Sequence, residues 1–240
     1  MNRLGAREEN ILNFIIRDYV RNASPISSGR IFESKTFRLS PATIRNAMLE
    51  LDDEGYLEQP YTSSGRIPTD KAYRYFVDNL MTHKGPSRNE KMVLEDLVSE
   101  VRERHEMLFE NFARLLADEV GLFCGIASFN GEPRIEAYGL EKVFSEPEFY
   151  DRNLTVEFSR LVDNIDKVAE KFLEDSFDDR PSVFIGGENQ FHDAKEFSSV
   201  AMKFSDDEFG NCIIFSIGPK RMNYEKVSSL LNFVVKDMIG

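Results

Sequence analysis

The residues best equipped for chemistry lie between Arg30 and Arg66, and their chemistry is hydrogen bonding rather than bond making. Ala42, Thr43, Arg45 and Asn46 fall within the first turns after Ser40-Pro41. An Asn side chain pairs bidentately with adenine and an Arg with guanine or phosphate, while Ala or a Thr methyl suits the methyl group of thymine. Ser63, Ser64 and Arg66 occupy a polar, basic stretch able to touch a sugar–phosphate backbone or a minor groove. Ser40 and Arg30 complete the set as backbone contacts. Residue type leaves a plainer reading open, in which Arg45 and Arg66 are ordinary solvated charges.

Other groupings carry less. His83, His105 and His192 are far apart and lack metal-ligand spacing, so neither a metal nor a cofactor is expected. Gly186-Gly187 lacks the spacing of a dinucleotide site. Gly218-Pro219-Lys220-Arg221 fits either an anion site at the mouth of the last helix or a sheet-to-helix turn with exposed charges. Asp178-Asp179 and Asp206-Asp207-Glu208 read as solvated loop groups. No nucleophile has an evident base nearby, so no catalytic site and no enzyme is expected. Cys124 and Cys212 lie in apolar runs without Cys-x-x-Cys spacing; they read as buried thiols, with a disulfide as the alternative.

The hydrogen-bonding residues need elements to hold them. Ser40-Pro41 is a helix start, a capping hydroxyl followed by proline where no N–H is needed. Ile44, Met48 and Leu51, with Ala47 beside them, form its inner stripe, and Gly55 permits a left-handed end. A helix of about 14 residues is about 21 Å long and fits a major groove. Tyr56–Gln59 reads as a strand, Pro60–Gly65 as a turn, Arg66–Pro68 as the return strand, and Thr69 caps a further helix. Upstream, Ile11, Leu12, Ile15, Ile16 and Tyr19 mark a first helix over 7–21. Ser27 or Ser28 caps a short second helix with Ile31 and Phe32 inward. Three helices and a basic-tipped hairpin outline a winged helix-turn-helix, a DNA-reading unit.

Net charge is −12, which argues against nucleic acid until its distribution is considered. Residues 85–240 hold 18 basic and 31 acidic groups, whereas residues 1–84 are near balance at 12 and 11. Within 21–49 five basic residues face one acidic residue. Phosphate attraction decays over a Debye length of roughly 8–10 Å, so a local basic face suffices. The chain has no apolar run long enough for a membrane span and its first residues lack a signal-peptide core, so a cytoplasmic protein is expected.

Polar residues 82–90, with Gly85-Pro86, mark the best boundary. The expected domains are 1–82, the DNA-binding unit; 83–120, a linker and long helix; and 121–240, a regulatory and dimerisation domain. The long helix carries a seam of Leu94, Leu97, Val101, His105, Leu108, Phe112 and Leu115. It suits either a helix lying across a sheet or a dimer contact. Beyond it, two strands joined at Asn130-Gly131, a helix over 154–177, three strands and a closing helix predict an α+β fold with antiparallel sheet and flanking helices on one side.

Several ordered blocks carry a family resemblance. They are Ser40-Pro41-Ala42-Thr43-Ile44-Arg45-Asn46, Glu54-Gly55-Tyr56-Leu57, Gln59-Pro60, Thr62 through Asp70, and Tyr73-Arg74-Tyr75-Phe76-Val77-Asp78. Ile185-Gly186-Gly187-Glu188-Asn189 and Ile217 through Tyr224 extend it toward the other end. Together they resemble the HrcA family of bacterial heat-inducible transcription repressors. The resemblance implies a homodimer on a double-stranded inverted-repeat operator upstream of chaperone genes, with the GroE chaperonin as a partner that keeps the repressor active. It also implies a GAF-like C-terminal part interrupted by an inserted dimerisation domain. GAF-like domains often hold ligands, so a small-molecule sensor is the alternative function. An enclosed polar pocket would favour sensing, and a core filled by Phe side chains would not.

Three departures from the family stand out. Ala47 replaces a usual Asp, and Ser27-Ser28-Gly29-Arg30 replaces a usual Gly-Ser-Arg-Thr order. The chain is also shorter than its relatives by about a small domain, near Leu122–Tyr138, where the insertion is expected.

Overall fold

The computed structural model describes residues 4–101, 108–131, 133–174, 180–189, 191, 194–206 and 209–239. It divides into two compact units, Met1–Met81 and Thr82–Gly240.

The first unit opens with α1 (Ala6–Asn22), whose Ile11, Leu12, Ile15 and Ile16 are buried as the helical period requires. Helix α2 (Ser28–Glu33) follows, capped by Ser27, whose side chain accepts from the Arg30 amide. Helix α3 (Pro41–Asp53) starts at Ser40, whose hydroxyl accepts from the Thr43 amide at 3.1 Å. It ends at Gly55, φ +76°, with Tyr56 N–H reaching back to Leu51 C=O at 2.8 Å. Strands β1 (Leu57–Glu58) and β2 (Ile67–Pro68) form an antiparallel ribbon, shorter than the sequence predicts. Helix α4 (Asp70–Tyr75) then runs into a wider π turn, Phe76–Leu80. Ile44, Ala47, Met48 and Leu51 of α3 are buried, as are Tyr56, Leu57, Tyr73, Tyr75 and Phe76. Phe32 corrects the sequence reading: it is exposed, and Ile31 alone turns inward from α2. Adjacent residues point about 100° apart round a helix, so the narrow face that buries Ile31 turns Phe32 outward.

The second unit begins with α5 (Arg88–Val101) and α6 (Leu108–Val120). Residues 102–107, and hence the continuity of a single long helix and His105, lie outside the described residues, as do the side chains of Leu97, Val101 and Leu108. The inward face of α6 is Phe109, Phe112, Ala113, Leu116 and Ala117, which includes the expected Phe112 and leaves Leu115 half-buried. Strands β3 (Phe123–Ser128) and β4 (Arg134–Tyr138) are followed by the short α7 (Leu140–Phe144) and a 3-10 turn, Pro147–Tyr150. The predicted helix over 154–177 is two helices, α8 (Arg152–Asp163) and α9 (Ile165–Glu174), broken at Asn164. Strands β5 (Ser182–Ile185), β6 (Phe197–Asp206) and β7 (Gly210–Pro219) lead to α10 (Tyr224–Phe233) and a closing π turn, Val234–Ile239.

The five strands form one antiparallel sheet in the order β4-β3-β7-β6-β5. Its helices cover both faces, which corrects the one-sided expectation. Phe123, paired with Ile217, meets Phe158 of α8 edge-on, and Phe215 meets Phe172 of α9. On the other face Tyr138, paired with Cys124, lies under Arg114 of α6, and Tyr224 of α10 hydrogen-bonds Ser198 at 2.8 Å. The physical reason is that β3, with most of β7, is buried residue after residue rather than alternately. Phe144, Phe149, Phe158 and Phe197 pack ring against ring on the first face. Arg221, between β7 and α10, is buried and ion-paired with Glu146 and with Glu148 at 2.5 Å. Arg221 is therefore neither one of a turn's exposed charges nor open to an anion.

No described helix is long and apolar enough to cross a membrane. Asp178, Asp179, Asp207, Glu208 and His192 lie outside the described residues.

Candidate nucleic-acid interface

The outer face of α3 follows from its inner one. With Ile44, Ala47, Met48 and Leu51 buried, the helical period leaves Ala42, Arg45, Asn46 and Leu49 on a single exposed stripe. From Ala42 to Leu49 it covers about 10 Å of helix axis, the rise of about three base pairs. Arg45 and Asn46 carry no ion pair or side-chain hydrogen bond among the described residues. Thr43 is half-buried, and its hydroxyl lies 2.8 Å from that of Ser40. Ser40 and Thr43 therefore fix the start of α3 through their hydroxyls.

The hairpin is locked against the rest of the unit at Gly65. Ile26 and Arg66 exchange backbone hydrogen bonds at 2.9 and 2.8 Å, which docks the segment between α1 and α2 onto the hairpin. A Cβ on Gly65 would lie 2.5 Å from the Ile26 carbonyl, so only glycine allows this approach. At the tip, Ser64 Oγ donates to Tyr61 C=O at 2.7 Å, and Gln59 donates to Ser64 C=O at 3.1 Å. Ser63 sits at φ +68°, turning the chain back. Ser64 thus holds the turn, and Ser63 stays exposed at its apex.

The basic residues divide into two kinds. The Arg66 guanidinium is taken up by Asp52 at 3.0 Å and is only 18% exposed. Arg30 pairs with Asp18 of α1 through two nitrogens at 2.7 and 2.9 Å, yet remains 41% exposed. Arg45 and the exposed Lys35 and Arg38, in the connection to α3, make no ion pair among the described residues. A cleft of about 260 Å³ lies between α2, α3 and the hairpin. It brings Arg45, Ser64 and Arg66 together, with Ser27, Ser28 and Leu49 beside them. Arg30, Ser40, Ala42, Thr43, Asn46 and Ser63 lie outside its lining.

Two exposed residues escaped the sequence reading. Leu49 is 46% exposed on the α3 stripe, and Tyr61 is 65% exposed at the hairpin tip. Leu49 was readable, because it is three residues from Asn46 and four from Arg45. An aromatic residue in an otherwise polar turn was the signal for Tyr61. Among the described residues no group of His, Cys, Asp and Glu could hold a metal ion.

Residues 62–227 match the family model described as the HrcA protein C terminal domain. A protein named heat-inducible transcription repressor HrcA from Desulforudis audaxviator (strain MP104C) is 41% identical over 118 residues, covering 46% of this chain and 34% of that protein. One of the same name from Chlorobium phaeobacteroides (strain BS1) is 52% identical over 82 residues, covering 34% and 23%. The match thus spans about a quarter to a third of the length of these curated relatives. A crystal structure of a hypothetical protein at 2.2 Å resolution shares the fold at TM-score 0.75 and 19% identity, covering 98% of each chain.

Proposed function

The chain belongs to the HrcA family, and on that premise we propose that it is a DNA-binding repressor of heat-shock chaperone operons. Its first unit is a winged helix with α3 as the reading helix and the β1–β2 hairpin as the wing. Arg45 and Asn46 contact bases, Ala42 and Thr43 line the same groove, and Ser40 and Arg30 hold phosphate at the helix starts. Ser63 and Ser64 bring the wing to the backbone. Arg66 places that wing through its bond to Asp52. The single observation that carries the reading is the stripe itself: Arg45 and Asn46 stand exposed and unengaged among the described residues, beside a cleft closed by the wing.

The second unit is a GAF-like domain that serves to dimerise the chain and to respond to the GroE chaperonin. Two copies present their reading helices to half-sites of an inverted repeat about 34 Å apart, one helical turn, or a multiple of it. The Phe cluster that fills one face of the sheet supports this reading over small-molecule sensing. The test compares Asn46→Ala with wild type on duplex selected by the protein and on random duplex. A loss of about 1–3 kcal/mol confined to the selected duplex is expected. Equal losses on both would remove Asn46 from base reading.

A further inference from the structure

Leu49 is the one large apolar side chain on the exposed stripe of α3. Leu49 lies nearly half exposed, while Met48 beside it is buried in the unit's core. Singly exposed apolar side chains are common, so it is the place of Leu49 that gives it meaning: it stands on the stripe with Arg45 and Asn46 and lines the same cleft as Arg45. What surrounds Leu49 defines its partner. Arg45 is one turn before it and carries an unpaired charge among the described residues. Ser27, Ser28, Ser64 and Arg66 share its cleft. With Arg66 held by Asp52, the cleft sets one cation without an ion pair among the described residues, Arg45, and the hydroxyls of Ser27, Ser28 and Ser64 beside one aliphatic side chain, which suits a base edge that carries both hydrogen-bonding groups and an apolar spot.

We propose that Leu49 is a specificity residue that packs against the 5-methyl group of a thymine in the major groove. The inference rests on α3 being the reading helix. Leu49 extends the base-reading stripe by one turn beyond Asn46, so its thymine lies one or two base pairs further along the site than the base read by Asn46. The major groove presents that methyl only at A·T pairs, so an aliphatic side chain there reads sequence without a hydrogen bond. Ala42, at the opposite end of the stripe, is too short to cover the same spot.

The experiment uses the full chain and duplex recovered from a random pool. Each thymine is replaced in turn by deoxyuridine, which removes the methyl and leaves every hydrogen-bonding group in place. Wild type is expected to lose about fourfold in affinity at one thymine per half-site, the transfer value of about one buried methyl group. Leu49→Ala binds the parent duplex more weakly and no longer distinguishes thymine from uracil there. Leu49→Met, which keeps an apolar reach, retains the preference. Discrimination that survives in Leu49→Ala, or wild type that ignores the substitution at every position, would overturn the assignment while leaving DNA reading intact. Failure of wild type to recover any preferred duplex would overturn the reading of α3, and this inference with it.

Discussion

Arg66 Nη2 lies 3.0 Å from Asp52 Oδ2, so the hairpin's one arginine is bonded to the last turn of the helix that precedes it. Both side chains are largely shielded from solvent, and the pair joins the wing to the reading helix rather than pointing a charge outward. Arg66→Ala and Asp52→Asn should therefore weaken duplex binding together, by misplacing the wing. The dependence of binding on salt concentration should stay nearly the same in both. A salt slope lower by about one unit in Arg66→Ala alone would instead make its guanidinium a direct phosphate contact.

Gly65 sets the approach of hairpin and α2. Its absent side chain leaves room for the Ile26 carbonyl, 2.5 Å from where a Cβ would be. Gly65→Ala should cost about 1–3 kcal/mol, the range for overpacking a close contact. The checks are thermal unfolding and duplex binding, and both should fall. An unchanged melting temperature would show that the bridge between Ile26 and Arg66 yields without strain.

Glu90 starts α5 in a reciprocal cap. Its carboxylate accepts from the Ser87 amide at 2.7 Å, and the Ser87 hydroxyl accepts from the Glu90 amide at 3.3 Å. Bonding to Ser87, then the charge of Lys226, holds the Glu90 carboxyl below its ordinary value. A depressed carboxyl contributes stability that is complete above its unfolded value, near 4.5, and is lost as pH falls through the folded one. Glu90→Gln keeps an oxygen that accepts from Ser87 but loses the charge facing Lys226, so it should melt lower than wild type at pH 7 by about 1–2 °C, for a partly exposed charge pair worth about 0.5 kcal/mol. The difference should shrink steadily as pH falls below 4.5. A difference that does not change with pH would mean the side chain acts by packing.

Both cysteines are free and buried. Burial pushes the Cys124 thiol up to about 12, against a smaller opposing effect of its hydrogen bond to Ser216. A thiol so held has almost no thiolate at neutral pH. The native chain should consume no thiol reagent at pH 8 and two equivalents once denatured. One fast equivalent from the native protein would contradict the burial of this strand.

Local signals were legible in the sequence and distant ones were not. Ser40, Pro41 and Gly55 bound α3 because a capping hydroxyl, a missing N–H and a left-handed turn act within a few residues. The same period that buries Ile44, Met48 and Leu51 exposes Arg45 and Asn46. The partner of Arg66 was hidden, since Asp52 lies across a turn and sits amid other acidic residues. Phe112 of α6 is buried as expected, whereas Leu115 is half-buried beside a buried Leu116, adjacent apolar residues between which periodicity does not choose. The break at Asn164 has neither Gly nor Pro to announce it. Helices on both faces of the sheet follow from the mostly apolar runs of β3 and β7, which lack the alternation of a strand with one wet face.

Selection from a random duplex pool by the full chain asks whether α3 reads DNA sequence in a two-fold symmetric pair. Enrichment of an inverted repeat with half-sites one helical turn, or a multiple of it, apart is expected. Recovery of unenriched sequences, or of a single half-site with no symmetric partner, would contradict it.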